Sequence, residues 1–153
     1  MIILDTNVIA ELMREEPDSN VASWIQGIAI KNLALTVIAI AEILRGIERL
    51  PKGKRRQRLE HSFKEFIQVG FRGRLFPFNE EAAYLYGGIA ADREKVGLSV
   101  DPVDLMIASI AKNLQASIAT RNIKDFERCG LTLINPWEPL TTNGGSLKKS
   151  KRG

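Results

Sequence analysis

Met1–Asn7 reads MIILDTN, in which Ile2–Leu4 run straight into an acid and two small polar side chains. So apolar a run suits a strand at the centre of a parallel sheet, covered on both faces. In open parallel sheets ligands sit beyond the carboxyl ends of the strands, which places Asp5 at the rim where binding and chemistry occur. The plainer alternative is that Asp5 and Asn7 cap the next helix.

Outward from this strand, Asn7 to about Glu15 has helical spacing, with Val8, Ile9 and Leu12 on one side. Pro17 ends that helix. Asp18 or Ser19 can cap another, whose buried face is Val21, Trp24, Ile25 and Ile28. Leu33–Val37 suits a second strand, and Ile38–Leu50 a helix stopped by Pro51. Glu42 lies among apolar sequence neighbours on that helix, so little solvent is expected around it. A carboxylate there needs a partner or a metal, and Arg45 is the local candidate for an ion pair. Thr36 can cap the helix or orient a ligand.

Further along, Lys52–Arg58 (KGKRRQR) packs five basic residues into seven positions. Such a run is ordinarily a solvated helix face, and its functional reading is contact with a phosphate backbone. Leu75–Phe78 is a third strand that Pro77 restricts to a sheet edge. Asn79 caps a helix closed by Gly97, with Ala82, Ala83, Leu85, Tyr86, Ile89 and Ala90 packed and Asp92–Lys95 solvated. Asp101-Pro102-Val103-Asp104 has the grammar of a helix start. Capping accounts fully for Asp101 and less uniquely for Asp104. Ser117–Thr120 and Leu131–Ile134 complete the strands, with one helical turn after Asn122. Asp125 on that turn can complete a local cap or face the same rim as Asp5. Residues 141–153 are expected to form a flexible basic tail outside the folded domain.

The 153 residues fit one domain with a real core. A hydrophobic fraction of 44% and a charged fraction of 26%, without a long apolar run, exclude a helical membrane span. With no leader ahead of the first strand, a cytoplasmic location is expected. Cys129 is the single cysteine and reads as a packing residue. The net charge of +4 and pI near 9.4 favour an anionic partner such as nucleic acid. His61 is the only histidine, which excludes a nuclease built on a histidine pair.

Alternating strands and helices predict an α/β sandwich with a mostly parallel, five-stranded sheet. That topology gathers Asp5, Glu42, Asp104 and Asp125 on one rim. Like charges at close range raise one another's pKa, and a divalent cation relieves the conflict. Oxygen ligands without histidine or cysteine select Mg²⁺ or Mn²⁺ over Zn²⁺. Such an ion can bind an anionic phosphodiester and activate water, so hydrolysis of nucleic acid is the expected reaction.

Five segments carry a family resemblance: MIILDTNVIAE, LTVIAIAEILRG, DPVDLMIASIAK, ATRNIKDFE and NPW. In this order and spacing the chain, over about residues 1–140, resembles PIN-domain proteins, specifically VapC-like toxins of bacterial toxin–antitoxin pairs. The resemblance implies a three-layer sandwich flanked by helices and a Mg²⁺-dependent ribonuclease. Asp5 and Asp104 would be its principal metal ligands, and Glu42 and Asp125 would complete the site directly or through water. Asp101 competes with Asp104 for its place, though DLMIA aligns Asp104. Thr6, Asn7 and Thr120 would form the hydrogen-bonding surround. A homodimer, an inhibitory antitoxin and operator DNA bound through the antitoxin complex are further implications. The basic helix before LFPF is similar to the FitB subgroup, which suggests an alternative: a subunit acting mainly in a DNA-bound repressor complex, its nuclease weak or unused. A phosphotransferase with Asp5 as nucleophile fits less well, because the usual second acid two residues on is Asn7 here.

Overall fold

The computed structural model describes residues 1–140, so the expected basic tail lies outside the described residues. Five strands, β1 (Ile2–Leu4), β2 (Leu33–Thr36), β3 (Leu75–Phe76), β4 (Ser117–Ala119) and β5 (Leu133–Ile134), form one sheet in the order β3-β2-β1-β4-β5. Every pairing is parallel, including Ile3 with both Ala34 and Ile118. The strand read first from the sequence is therefore central, and β3 lies at an edge as expected but ends at Phe76, before Pro77, short of the expected Leu75–Phe78.

Alternation along the strands builds the layers. Ile3, Ala34 and Ile118 point to one face, where α5 (Glu80–Lys95), α6 (Pro102–Asn113) and α7 (Ile123–Phe126) cover them. Leu4, Leu33, Leu35 and Ala119 point to the other, against α1 (Thr6–Leu12), α2 (Ser19–Gln26), α3 (Val37–Glu48) and α4 (Lys54–Glu65). Phe63, Phe66 and Phe71 close that second core as α4 runs into a π-helical segment, Phe66–Gly70. The result is the three-layer α/β sandwich. No helix among the described residues is long and apolar enough to cross a membrane.

Helix ends follow local chemistry. Thr36 Oγ1 accepts from Ala39 N at 3.1 Å, and Asn79 Oδ1 accepts from Ala82 N at 3.0 Å. At the end of α5, Gly97 adopts φ +74° while its N–H donates to Glu94 O and that of Leu98 to Arg93 O, both at 3.0 Å, a Schellman closure. Buried Glu11, unremarked in the sequence, accepts from Asp18 N at 2.8 Å and ties α1 to the start of α2.

Three burial expectations fail. Ala83, expected on the packed face of α5, is exposed. Arg93, expected in a solvated stretch, is 3% exposed. Glu42, expected to be shielded, is exposed, and no ion pair joins it to Arg45 among the described residues. On α3 the inward positions are Ala39, Ile43 and Ile47. Successive helical residues turn about 100° apart, so apolar neighbours in sequence do not enclose Glu42 in space.

Candidate active site

From β1 the chain builds β2 and β3 to one side, then crosses back to lay β4 and β5 on the other. The order reverses between β1 and β4, and a crevice opens at such a reversal beyond the strand ends. Asp5 and Thr120 stand there, immediately after β1 and β4, and Asp5 N donates to Ala119 O at 2.9 Å.

Asp5 caps α1 and does more. Its Oδ1 accepts from Thr6 N at 2.8 Å, while Oδ2 accepts from Thr120 Oγ1 at 2.8 Å and Asn7 Nδ2 at 3.1 Å. The residue is 5% exposed. Burial raises its pKa above the ordinary carboxylate value, hydrogen bonds from Thr120, Thr6 and Asn7 oppose the rise, and the charge on Glu42 adds to it. Thr6 Oγ1 meanwhile donates to Glu42 Oε1 at 2.9 Å, which couples α1 to α3. The surround expected from Thr6, Asn7 and Thr120 is thus a single hydrogen-bonded unit reaching both carboxylates.

Asp104 sits half-buried in the first turn of α6, directly after the Asp101 cap, whose Oδ1 accepts from Val103 N at 2.9 Å and Asp104 N at 3.0 Å. Its pKa is pushed up to about 7, first by burial and then by the charges of Asp101, Asp5, Asp125 and Glu42. Acids from four distant segments therefore meet on this rim, the other four bearing on Asp104. Asp101 is a cap and an electrostatic neighbour at once. Asp125 lies exposed on α7, joined to the network through backbone: its N–H donates to Asn122 O at 3.0 Å, and Asn122 N donates to Thr120 Oγ1 at 3.0 Å.

None of these five carboxylates is in an ion pair among the described residues. Nor do any three side chains there stand close enough to enclose a metal by themselves. A hard ion such as Mg²⁺ keeps several waters and takes only one or two protein carboxylates, so an open, all-oxygen, uncompensated donor set fits it.

An open cleft of about 990 Å³ leads away from Thr6 and Glu42. Met13, Ile43, Ile47 and Leu59 line its apolar part, and Arg14, Arg55 and Arg58 its basic part. The basic run is thus both a solvated face and the wall of a cleft beside the acids. The i, i+3 spacing of Arg55 and Arg58 was the available signal for that shared face. His61 is exposed, as expected.

The PIN domain family model matches residues 2–130. The chain is 38% identical over 139 residues to a protein of Sinorhizobium fredii named VapC ribonuclease Y4jK, covering 91% of this chain and 99% of that one. It is 33% identical to the toxin FitB of Neisseria gonorrhoeae, over 90% of this chain and 99% of the relative. A solved structure of FitAB bound to an IR36 DNA fragment superposes with a TM-score of 0.85 at 33% identity, covering 90% of this chain and 96% of that one. On sequence, topology and the placing of its acids at the sheet's reversal point, this chain belongs to the PIN-domain family.

Proposed function

We propose that this chain is the nuclease toxin of a toxin–antitoxin pair and hydrolyses RNA phosphodiesters with Mg²⁺, or Mn²⁺, as its cofactor. The observation that carries the reading is the rim on which four carboxylates bear on Asp104 and none of the five has a protein cation among the described residues. Relatives named VapC ribonuclease and FitB toxin, similar over nearly their whole length, support it. Asp5 and Asp104 are the residues that would hold the ion, with Glu42 and Asp125 acting directly or through water. When bound, the ion lowers the pKa of water and stabilises charge on the leaving oxygen.

The chain's own groups do the rest. Thr120, Asn7 and the Thr6 amide hold the Asp5 carboxylate in one orientation, and the Thr6 hydroxyl does the same for Glu42. Such preorganisation removes the entropy of ordering ligands when the ion arrives. Arg55 and Arg58 face the cleft where an RNA backbone can lie, and guanidinium groups suit phosphate oxygens. The proposal places the protein in the cytoplasm as a homodimer, silenced by an antitoxin and bound with it to operator DNA. DNA-bound FitAB and VapBC complexes among the structural relatives favour that second role, which coexists with the first.

The test is cleavage of RNA by the isolated protein in Mg²⁺, beside Asp5→Asn. Cleavage that disappears in the variant and in a chelator supports the nuclease. Equal residual cleavage by both proteins would refute it. Operator binding that needs the antitoxin and survives in the variant would then leave the repressor role as the main one.

A further inference from the structure

Arg93 is the least expected side chain in the molecule. It is 3% exposed, in the last turn of α5, and no carboxylate pairs with it among the described residues. A buried charge without a counter-charge needs a compensating set of hydrogen bonds. Here the acceptors are three backbone carbonyls from two segments. Nε donates to Ser99 O at 2.9 Å, Nη1 donates to Glu127 O, and both terminal nitrogens reach Lys124 O at 3.5 Å.

Two of those carbonyls flank Asp125. Helix α7 has four residues, too few to persist by itself, because a single turn gains little hydrogen bonding for the backbone it fixes. Outside attachments must hold it. Its start is tied to Asp5 through Asn122 and Thr120, and buried Phe126 plugs it into the core. Its end exposes carbonyls that cannot bond within the helix, and Arg93 supplies the donors and the positive charge that a helix C-terminus favours. Lysine could not replace it on equal terms, since the guanidinium spreads its donors over a rigid fork that matches three separate carbonyls, whereas an ammonium presents its three from one point.

We propose that Arg93 is a positioning residue for Asp125, clamping the single helical turn that delivers this acid to the site. The inference rests on the nuclease reading above. Arg93 itself touches no substrate or ion.

The experiment is a double-mutant cycle of Arg93→Met and Asp125→Asn, with steady-state cleavage of RNA in Mg²⁺ and amide hydrogen exchange of the metal-free protein. Arg93→Met is expected to lower kcat at least tenfold with KM changed less than threefold. In the Asp125→Asn background the same change should cost under threefold, because both act through one group. Exchange at 123–127 should quicken at least tenfold while β1 and α1 keep their protection. Losses that multiply in the double variant, or exchange that quickens everywhere alike, overturn the proposal by making Arg93 a general stabiliser. Should Arg93→Met not fold, Arg93→Lys enters the same cycle with an intermediate loss expected. If the wild-type protein cleaves no RNA, the nuclease reading falls alone, and local exchange at 123–127 still decides whether Arg93 holds the turn.

Discussion

Replacing Asp104 by Asn should abolish cleavage and yet make the metal-free protein more stable. The folded carboxyl has its pKa raised from 3.8 to about 7 by burial and by four neighbouring acids, so its ionised form opposes folding. The sign follows from proton linkage. The folded state holds this proton more tightly than the unfolded chain, so stability is greatest below 3.8 and is lost as pH rises toward 7. The full shift corresponds to about 4 kcal/mol, and solvent screening of a half-buried group reduces this to about 2 kcal/mol. Asn keeps the amide that the Asp101 cap receives but gives up a favourable charge at a helix start, about 0.5 kcal/mol. The net gain of about 1.5 kcal/mol predicts a Tm higher by about 3–6 °C at pH 8. At pH 4.5 about half of the difference or less should remain, since the wild-type acid is by then mostly neutral in the folded state. Calorimetry of both proteins in chelator at the two pH values measures this, and Mg²⁺ should then narrow the gap by stabilising the wild type. A variant no more stable than wild type at pH 8, or a gap independent of pH, would refute the claim that Asp104 is strained by its neighbours.

Three further outcomes are expected. Thr120→Val removes a buried donor to Asp5 and the acceptor of Asn122 N, which should cost about 1–3 kcal/mol in chemical denaturation and at least tenfold in kcat. Thr6→Val frees Glu42 from an exposed hydrogen bond and should change stability by less than about 1 kcal/mol while cleavage falls, so activity without loss would argue against Glu42. Arg55→Glu with Arg58→Glu should weaken RNA binding and flatten its dependence on salt, by a log–log slope of about 1.4 for two single-strand phosphate contacts. Fluorescence anisotropy across a salt series reads this, and an unchanged slope would remove the cleft from the RNA path.

Much of this architecture was legible because its signals are local or topological. Apolar Ile2–Leu4, the caps Thr36, Asn79 and Asp101, and Gly97 each act through their own backbone. Parallel connectivity then required strand ends to share a rim, which is why acids more than a hundred residues apart could be placed together. Part of what escaped was within reach of periodicity, and the rest depends on partners that periodicity does not encode. Helical spacing tells which side of α3 faces the core, and the exposure of Glu42 follows from it once Ala39, Ile43 and Ile47 are taken as the inward set. The chemistry of Glu42 instead comes from Thr6 on another helix.

Arg93 marks the limit more sharply. A cation in DREK, at the end of a helix, has the composition of a solvated terminus, and sequence patterning assigns it there. Its burial becomes intelligible only with the far end of the chain in place, where an isolated helical turn leaves carbonyls unserved. The two ends of this site thus solve opposite problems. At β1 and β4, backbone and hydroxyl donors make a buried anion tolerable, and at α7, backbone acceptors make a buried cation tolerable. Neither charge neutralises the other directly, so the carboxylates keep their capacity for an external cation while their supports stay fixed. An ion pair between Arg93 and any of the five acids would neutralise that carboxylate and compete with the ion that the proposed reaction requires.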